Sequence, residues 1–285
     1  MGVMFKTFND PRVFRDLTAP FLLKNEATHC LGLSLIDSLV EEPNLFPKFE
    51  LAGFFDDQSH RLLGAAWITH PHPLGASEMP LSCVPALLDF AAGLKRKPSG
   101  IAAPFAIAEE FQRQWLPRQS CQIQRRFEQC IYELRELIAP SPLEGAMRLA
   151  EDSDQKLLAQ WCWNFVVDCR MVKGPDNGNG KIYAKQAIES RSRYLWEIDG
   201  RPVSMVGVPG RTKNGARISW VYTPPEERRK GYAAHLVAKV CELEMAKRKS
   251  RCFFYTDLDN PTSNHIYQSI GFKPISKPLH YSFLY

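Results

Sequence analysis

The sequence has no run of about 18 apolar residues, which excludes a membrane-spanning helix. Its eight cysteines, at positions 30, 83, 121, 130, 162, 169, 241 and 252, form no CxxC pair. The spacing of Cys162 and Cys169 suits neither a zinc knuckle nor a redox motif, so reduced, mostly buried thiols and no metal centre are expected. Met1–Asp10 carries charges and lacks the apolar core of a secretory signal, and a cytoplasmic location is expected. Charge of one sign is also scarce. The net +5 is spread over Lys95-Arg96-Lys97, Arg125-Arg126, Arg228-Arg229-Lys230 and Lys247-Arg248-Lys249. Dispersed clusters of this kind read as solvated faces, so neither nucleic acid nor a membrane is an expected partner.

What is present is ordinary globular composition: 285 residues, 45% hydrophobic and 24% charged, which sets aside disorder, collagen and coiled coil. At roughly 100 to 200 residues per domain, the length allows one large domain or two modest ones. Two segments read as hairpins: Phe49–Phe55 with Leu62–Thr69 around a polar turn, and Arg193–Ile198 with Pro202–Val206 around Asp199-Gly200. Each follows helical pattern and precedes further strand and helix. Their recurrence at about half the chain suggests two copies of one α/β unit with a mixed sheet. Pro140 and Pro142 mark the linker, giving expected domains 1–140 and 144–285. Helices are expected over 84–96, 105–115, 152–170, 233–249 and 263–269, with strands at 218–222 and 252–256. The Gly174–Lys181 stretch lacks the glycine spacing of a phosphate-binding P-loop and reads as a mobile loop.

The informative segment runs from Val221 to Ala234: a strand end at Val221-Tyr222-Thr223, a proline turn, then Arg228-Arg229-Lys230-Gly231-Tyr232-Ala233-Ala234 opening a helix. The first amides of a helix have no internal partner and sit at its positive dipole end; a glycine there lets an anion approach them. Further on, Asn260-Pro261-Thr262-Ser263-Asn264-His265-Ile266-Tyr267 opens a short helix that Gly271 ends. Asn260, Asn264 and Tyr267 then fall close to one face.

Together these two segments, RxxGxA at Arg228, Gly231 and Ala233 and NxxSxxxYxxxGF at Asn260, Ser263, Tyr267, Gly271 and Phe272, resemble the acetyl-CoA-binding signature of the GNAT superfamily of N-acetyltransferases. The resemblance covers about residues 145–285 and extends to a group of tandem GNAT proteins with a diverged first copy. It implies an enzyme that uses acetyl-CoA as cosubstrate and transfers acetyl directly to a primary amine of a small-molecule or peptide acceptor, as a monomer or homodimer. It further implies that the amides from Arg229 to Ala234, among the charges of Arg228 and Lys230, hold the CoA pyrophosphate. Val221 and Thr223 would pair with the pantetheine arm, and Asn260, Ser263 and Asn264 would contact the cosubstrate. Tyr267 would be the general acid, because a phenol can protonate a leaving thiolate without being ionised at pH 7. An amide of Val221 or Tyr222 would stabilise the oxyanion.

The strand Arg217–Thr223 departs from many members of the superfamily in having no carboxylate to act as base. Glu197, on a hairpin strand expected beside it, and a bound water are the two candidates for that role. The same gap leaves a non-catalytic acyl-CoA-binding protein as the alternative. In the first half, neither Pro80–Leu88 nor Ile101–Glu109 carries the glycine-basic turn or the Asn–Tyr pattern, so that half is expected not to bind CoA.

Overall fold

The computed structural model describes residues 2–171, 174–247, 250–259 and 261–285; at Pro261, Thr262 and Ser263 only the backbone is described. The residues fall into two compact units. One comprises Met1–Tyr132, Thr256–Pro261 and Pro274–Tyr285, and the other Glu133–Tyr255 and Thr262–Lys273.

In the first unit β1 (Val3–Phe8) is followed by α1 (Pro11–Leu22), α2 (Glu26–Glu41), β2 (Phe49–Asp56), β3 (Leu62–Thr69), β4 (Leu74–Ala76), α3 (Val84–Gly93), β5 (Gly100–Pro104), α4 (Phe105–Gln119) and β6 (Gln122–Leu134). Asp10 starts α1 by accepting a hydrogen bond from the Arg12 amide at 2.8 Å, with Pro11 in the first turn, where its missing N–H costs nothing. The β2–β3 hairpin forms as expected, from Phe49↔Thr69 to Phe55↔Leu62. Alternation along β3 serves two cores: Ala66 and Ile68 pack with α3 and α4, Ala65 and Trp67 with α1 and α2. The sheet order is β1-β2-β3-β4-β5, continued by β13 (Pro278–Leu284) and then β6. Among the described residues of this unit only β4 and β5 run parallel. The C-terminal strand β13 thus belongs to the first unit, where Leu279, Tyr281 and Phe283 join its core.

The second unit repeats the element order: β7 (Ala146–Leu149), α5 (Gln155–Asp168), α6 (Asn179–Glu189), β8 (Arg193–Ile198), β9 (Arg201–Arg211), β10 (Gly215–Tyr222), α7 (Tyr232–Ala246), β11 (Arg251–Asp257) and α8 (Pro261–Ser269), while β12 (Lys273–Ser276) falls from Pro274 on in the first unit. Its sheet runs β7-β8-β9-β10-β11, antiparallel except for β10 with β11. Duplicated order and matching parallel pairs make this a mixed α/β fold in tandem.

One expectation fails locally. The stretch read as a loop through Lys181 begins α6 at Asn179, after Gly178 at φ 100°. Asp176 Oδ1 accepts from the Gly178 and Gly180 amides at 2.9 and 3.2 Å, an Asx turn that starts the helix despite its poor helix formers. Among the described residues no helix is long and apolar enough to cross a membrane. The cysteines are free, and all are buried except Cys169.

Candidate active site

The second unit opens where its two parallel strands part. Pairing of β10 with β11 runs from Gly215↔Arg251 to Ile218↔Phe254, yet β10 continues to Tyr222. Against β9, the register of β10 shifts twice, between Arg217 and Ser219 and between Ser219 and Tyr222, and Trp220 takes φ 54°, an unusual conformation for so large a residue. A bulge bends the strand that carries it, and these shifts fall where the β10–β11 ladder ends. Past Ile218, β10 has no ladder partner on the β11 side among the described residues. The backbone around Val221 and Thr223, the pair expected to meet an extended ligand, lies on this stretch.

The strand end is anchored from behind. Ser204 on β9 donates to the Tyr222 carbonyl at 3.2 Å and shares a 2.8 Å hydrogen bond with the Thr223 hydroxyl. The Tyr222 side chain points into the core, its ring 6.0 Å from that of Trp161 and its hydroxyl accepting from Asn164 at 3.0 Å. Burial raises its pKa. Any part Tyr222 plays toward a ligand must therefore come from its backbone.

Beyond the strand, Pro225–Glu227 makes one 3-10 turn and Gly231 caps α7 at φ 85° with no side-chain cap. The first amide bonded into α7 is that of His235, to the Gly231 carbonyl, so Tyr232, Ala233 and Ala234 supply first-turn donors with no carbonyl one turn back. A Cβ added at Gly231 would come to 3.6 Å from the His235 ring and 3.8 Å from Leu143, ordinary contact, so the positive φ and not crowding is what favours glycine here. Three side chains shape the loop. Arg228 donates to the Thr223 carbonyl at 2.9 Å and to Asp168 at 2.7 Å, tying loop to strand. Lys230 and Arg201 both donate to buried Glu227, whose carboxyl they hold below its ordinary pKa. Of Arg228, Arg229 and Lys230, Arg229, itself at φ 65°, has no ion-pair partner among the described residues.

Tyr267 lies on α8 and is 3% exposed, its ring 3.8 Å from that of Phe254, centroid to centroid. Phe254 is the β11 residue opposite Ile218, the last pair before the strands part, so Tyr267 stands over the start of the opening. Asn264 is half-buried on the same helix. Asn260 and the side chain of Ser263 lie outside the described residues.

Glu197 is not where the sequence suggested. The strand beside β10 is β9, and β8 is one place further out, because the chain runs as a meander and not as an isolated hairpin next to β10. Its carboxylate accepts from Arg148 Nε at 2.7 Å, and the same guanidinium reaches both oxygens of Asp154, at 2.6 and 2.8 Å. That clasp joins β7, β8 and the entry to α5. Residues that sequence reading did not single out are Ser204, Asp168, Glu227 and Trp220. Ser204 bonds the backbone of the strand end, Asp168 holds the Arg228 side chain and Glu227 those of Arg201 and Lys230, and no local pattern marks such roles.

Residues 158–272 match the family described as Acetyltransferase (GNAT) family, and that region is a GNAT acetyltransferase domain; the protein is of the N-acetyltransferase class. Over nearly its whole length the chain also shares its fold with solved structures of low sequence identity. A Drosophila protein superimposes with TM-score 0.70 at 10% identity, covering 99% of each chain. A GCN5-related N-acetyltransferase from Sphaerobacter thermophilus gives 0.63 at 11%, covering 98% of this chain and 95% of the other. An acetyltransferase from the GNAT family of Colwellia psychrerythraea gives 0.58 at 12%, covering 98% and 99%. At these identities the likeness concerns the fold. No curated protein matches the sequence.

Proposed function

We propose that this protein transfers the acetyl group of acetyl-CoA directly to a primary amine, at a single site in the second unit. The observation that carries the reading is the coincidence, in one unit, of a bulged strand that parts from its parallel neighbour and a glycine-capped helix start with no side-chain cap just beyond it. The fit to the cosubstrate is good on both counts: free strand edge for the amides of an extended arm, and first-turn amides with Arg229 for a pyrophosphate. Acetyl-CoA would bring the activated acyl group.

In this reading the amides of Tyr232, Ala233 and Ala234 bind the phosphates, and the edge at Val221 and Thr223 aligns the thioester. An amide of Val221 or Tyr222 donates to the carbonyl oxygen as it gains charge. The amine nitrogen bonds to the carbonyl carbon while the carbon–sulfur bond breaks, one proton leaves nitrogen, and Tyr267 Oη gives one to sulfur. The ion pair with Arg148 supports a structural part for Glu197, and a water takes the amine proton. The direct test is calorimetry with acetyl-CoA followed by thiol release over a panel of amines. One bound acetyl-CoA per chain and amine-dependent thiol release are expected. Binding without turnover on any amine would favour a non-catalytic acyl-CoA-binding protein, and no binding would end the proposal.

A further inference from the structure

Among the buried charges of the second unit, Arg193 differs from the rest. Glu227 is paired with Lys230 and Arg201, Glu244 with Arg211 and Lys247, Asp154 with Arg148, and Glu133 with Arg135 and Arg251. Arg193 is 3% exposed, and neither its Nε nor its Nη1 has a hydrogen-bond partner. Burial alone drives its pKa down to about 10, and the neighbouring Cys162 is a thiol that burial pushes up, so it brings no negative charge at neutral pH.

The surroundings are built for this guanidinium. Arg193 opens β8 opposite Gly207 of β9, which in turn faces Ser219 of β10. A Cβ at Gly207 would come within 2.3 Å of Arg193 Nη1 and 3.1 Å of Trp220 Cβ, so the missing side chain makes the room. The guanidinium carbon then sits 4.8 Å from the ring centroid of Trp220. That ring is flanked by Phe165 of α5 at 5.0 Å and Tyr183 of α6 at 5.4 Å, all three half-buried rather than sealed. Trp220 is the bulge residue itself and directly precedes Val221, so the cluster borders the stretch of β10 assigned to the thioester.

We infer that Arg193 anchors a carboxylate of the acceptor, so that the amine acetylated here belongs to a molecule that also carries a carboxylate, as an amino acid does. The inference rests on the transferase reading above. An unpaired buried cation is costly to a fold, and a ligand anion would satisfy the two free donors, while Phe165, Tyr183 and Trp220 wall the ligand's apolar body.

Two measurements on the full chain test this separately from the transferase reading. Calorimetry without acetyl-CoA compares N-acetyl-L-amino acids with their carboxamides, and thiol release compares the free L-amino acids with theirs. For at least one side chain the carboxylate form should bind and react roughly 10-fold or more better. Arg193→Met should erase that preference, leave acetyl-CoA affinity unchanged, and melt at or above wild type because it removes an unpaired charge. Arg193→Lys, which keeps the charge without the planar fork, should retain part of the preference. Should Arg193→Met not fold, Gly207→Ala must lower the preference by displacing Nη1. Equal affinity for carboxylate and carboxamide, no binding of any N-acetyl amino acid, or a preference that survives in Arg193→Met overturns the inference. Carboxylate binding that depends on Arg193 in a protein that does not bind acetyl-CoA would uphold it while ending the transferase reading.

Discussion

The two units share an order of elements and differ at the turn from the third strand of the meander to the next helix. In the second unit that turn contains Gly231 at φ 85° and delivers bare amides at the start of α7. In the first, α3 starts from Cys83 in ordinary right-handed geometry, and Val84, Leu87 and Leu88 are buried at once. The Cys83 thiol is itself buried, its pKa pushed up to about 11 by loss of solvent. The strands differ in the same sense: β4 spans three residues and pairs with β5 only at Leu74↔Ile101 and Gly75↔Ala102, without a register shift. After β5, α4 begins immediately at Phe105 and sends Phe111 and Trp115 into the core, their rings 5.2 Å apart. The topology is kept by apolar periodicity, which both halves have. The opening depends on positive φ at Trp220, Arg229 and Gly231, and the first unit has no counterpart.

The contrast breaks most sharply at Gly231. Replacing it with Asp puts an L side chain at φ 85° and a negative charge before the amides. Acetyl-CoA affinity should fall by roughly 100-fold or more, because the added side chain and its charge stand where the phosphate must approach the first-turn amides. Titration calorimetry on a variant that melts like wild type is the measurement; a loss below about 3-fold would mean that the second unit has no more of a cradle than the first. Next in size is Tyr267→Phe. Turnover should drop by about one to three orders of magnitude with cosubstrate affinity retained, as befits loss of a proton donor rather than of a binding contact. Equal turnover would leave Tyr267 as a core residue on Phe254, comparable to Trp115 on Phe111.

A smaller effect concerns the clasp at the entry to α5. Hydrogen bonds from Arg148 hold the Asp154 carboxyl below its ordinary pKa. A carboxyl whose folded pKa is lowered adds stability above its unfolded pKa of about 3.9 and loses it as pH falls through the folded value. Asp154→Asn should therefore cost about 2 kcal/mol at pH 7. The gap from wild type should stay constant down to about pH 5 and close below about pH 4. Urea melts across that range check it, and a gap that widens in acid would contradict the pairing.

Much of this arrangement can be read in the residues, and the remainder has identifiable causes. The hairpins show because alternation is local, and the cradle shows because glycine beside arginine before an apolar helix has few uses. Helix α6 hides because Asn-Gly-Asn-Gly argues against a helix, and only Asp176 capping two amides makes the start. Strand β13 in the first unit is illegible, since Leu279, Tyr281 and Phe283 mark a buried face without saying whose. Arg193 escapes notice for a related reason. It shares the inward face of β8 with Leu195, two residues on, but an arginine next to a turn reads as solvated until Gly207 is seen to make room for it.

The smallest predicted effect is at Glu197, and it separates neighbourhood in sequence from neighbourhood in space. A glutamate two residues before the turn of a hairpin looks adjacent to whatever strand follows the hairpin, yet in a meander the returning strand β9 takes that place. Its carboxylate is also occupied by Arg148 Nε at 2.7 Å, and a general base must be free to take a proton at the reacting amine. Glu197→Gln keeps the shape and an acceptor oxygen, so kcat on any amine that turns over should change by less than about 3-fold, with a small loss of thermal stability from the weakened clasp. If kcat instead falls by about 100-fold or more, and the fall deepens as pH drops, the carboxylate rather than water takes the proton, and the Arg148 bridge must open during turnover.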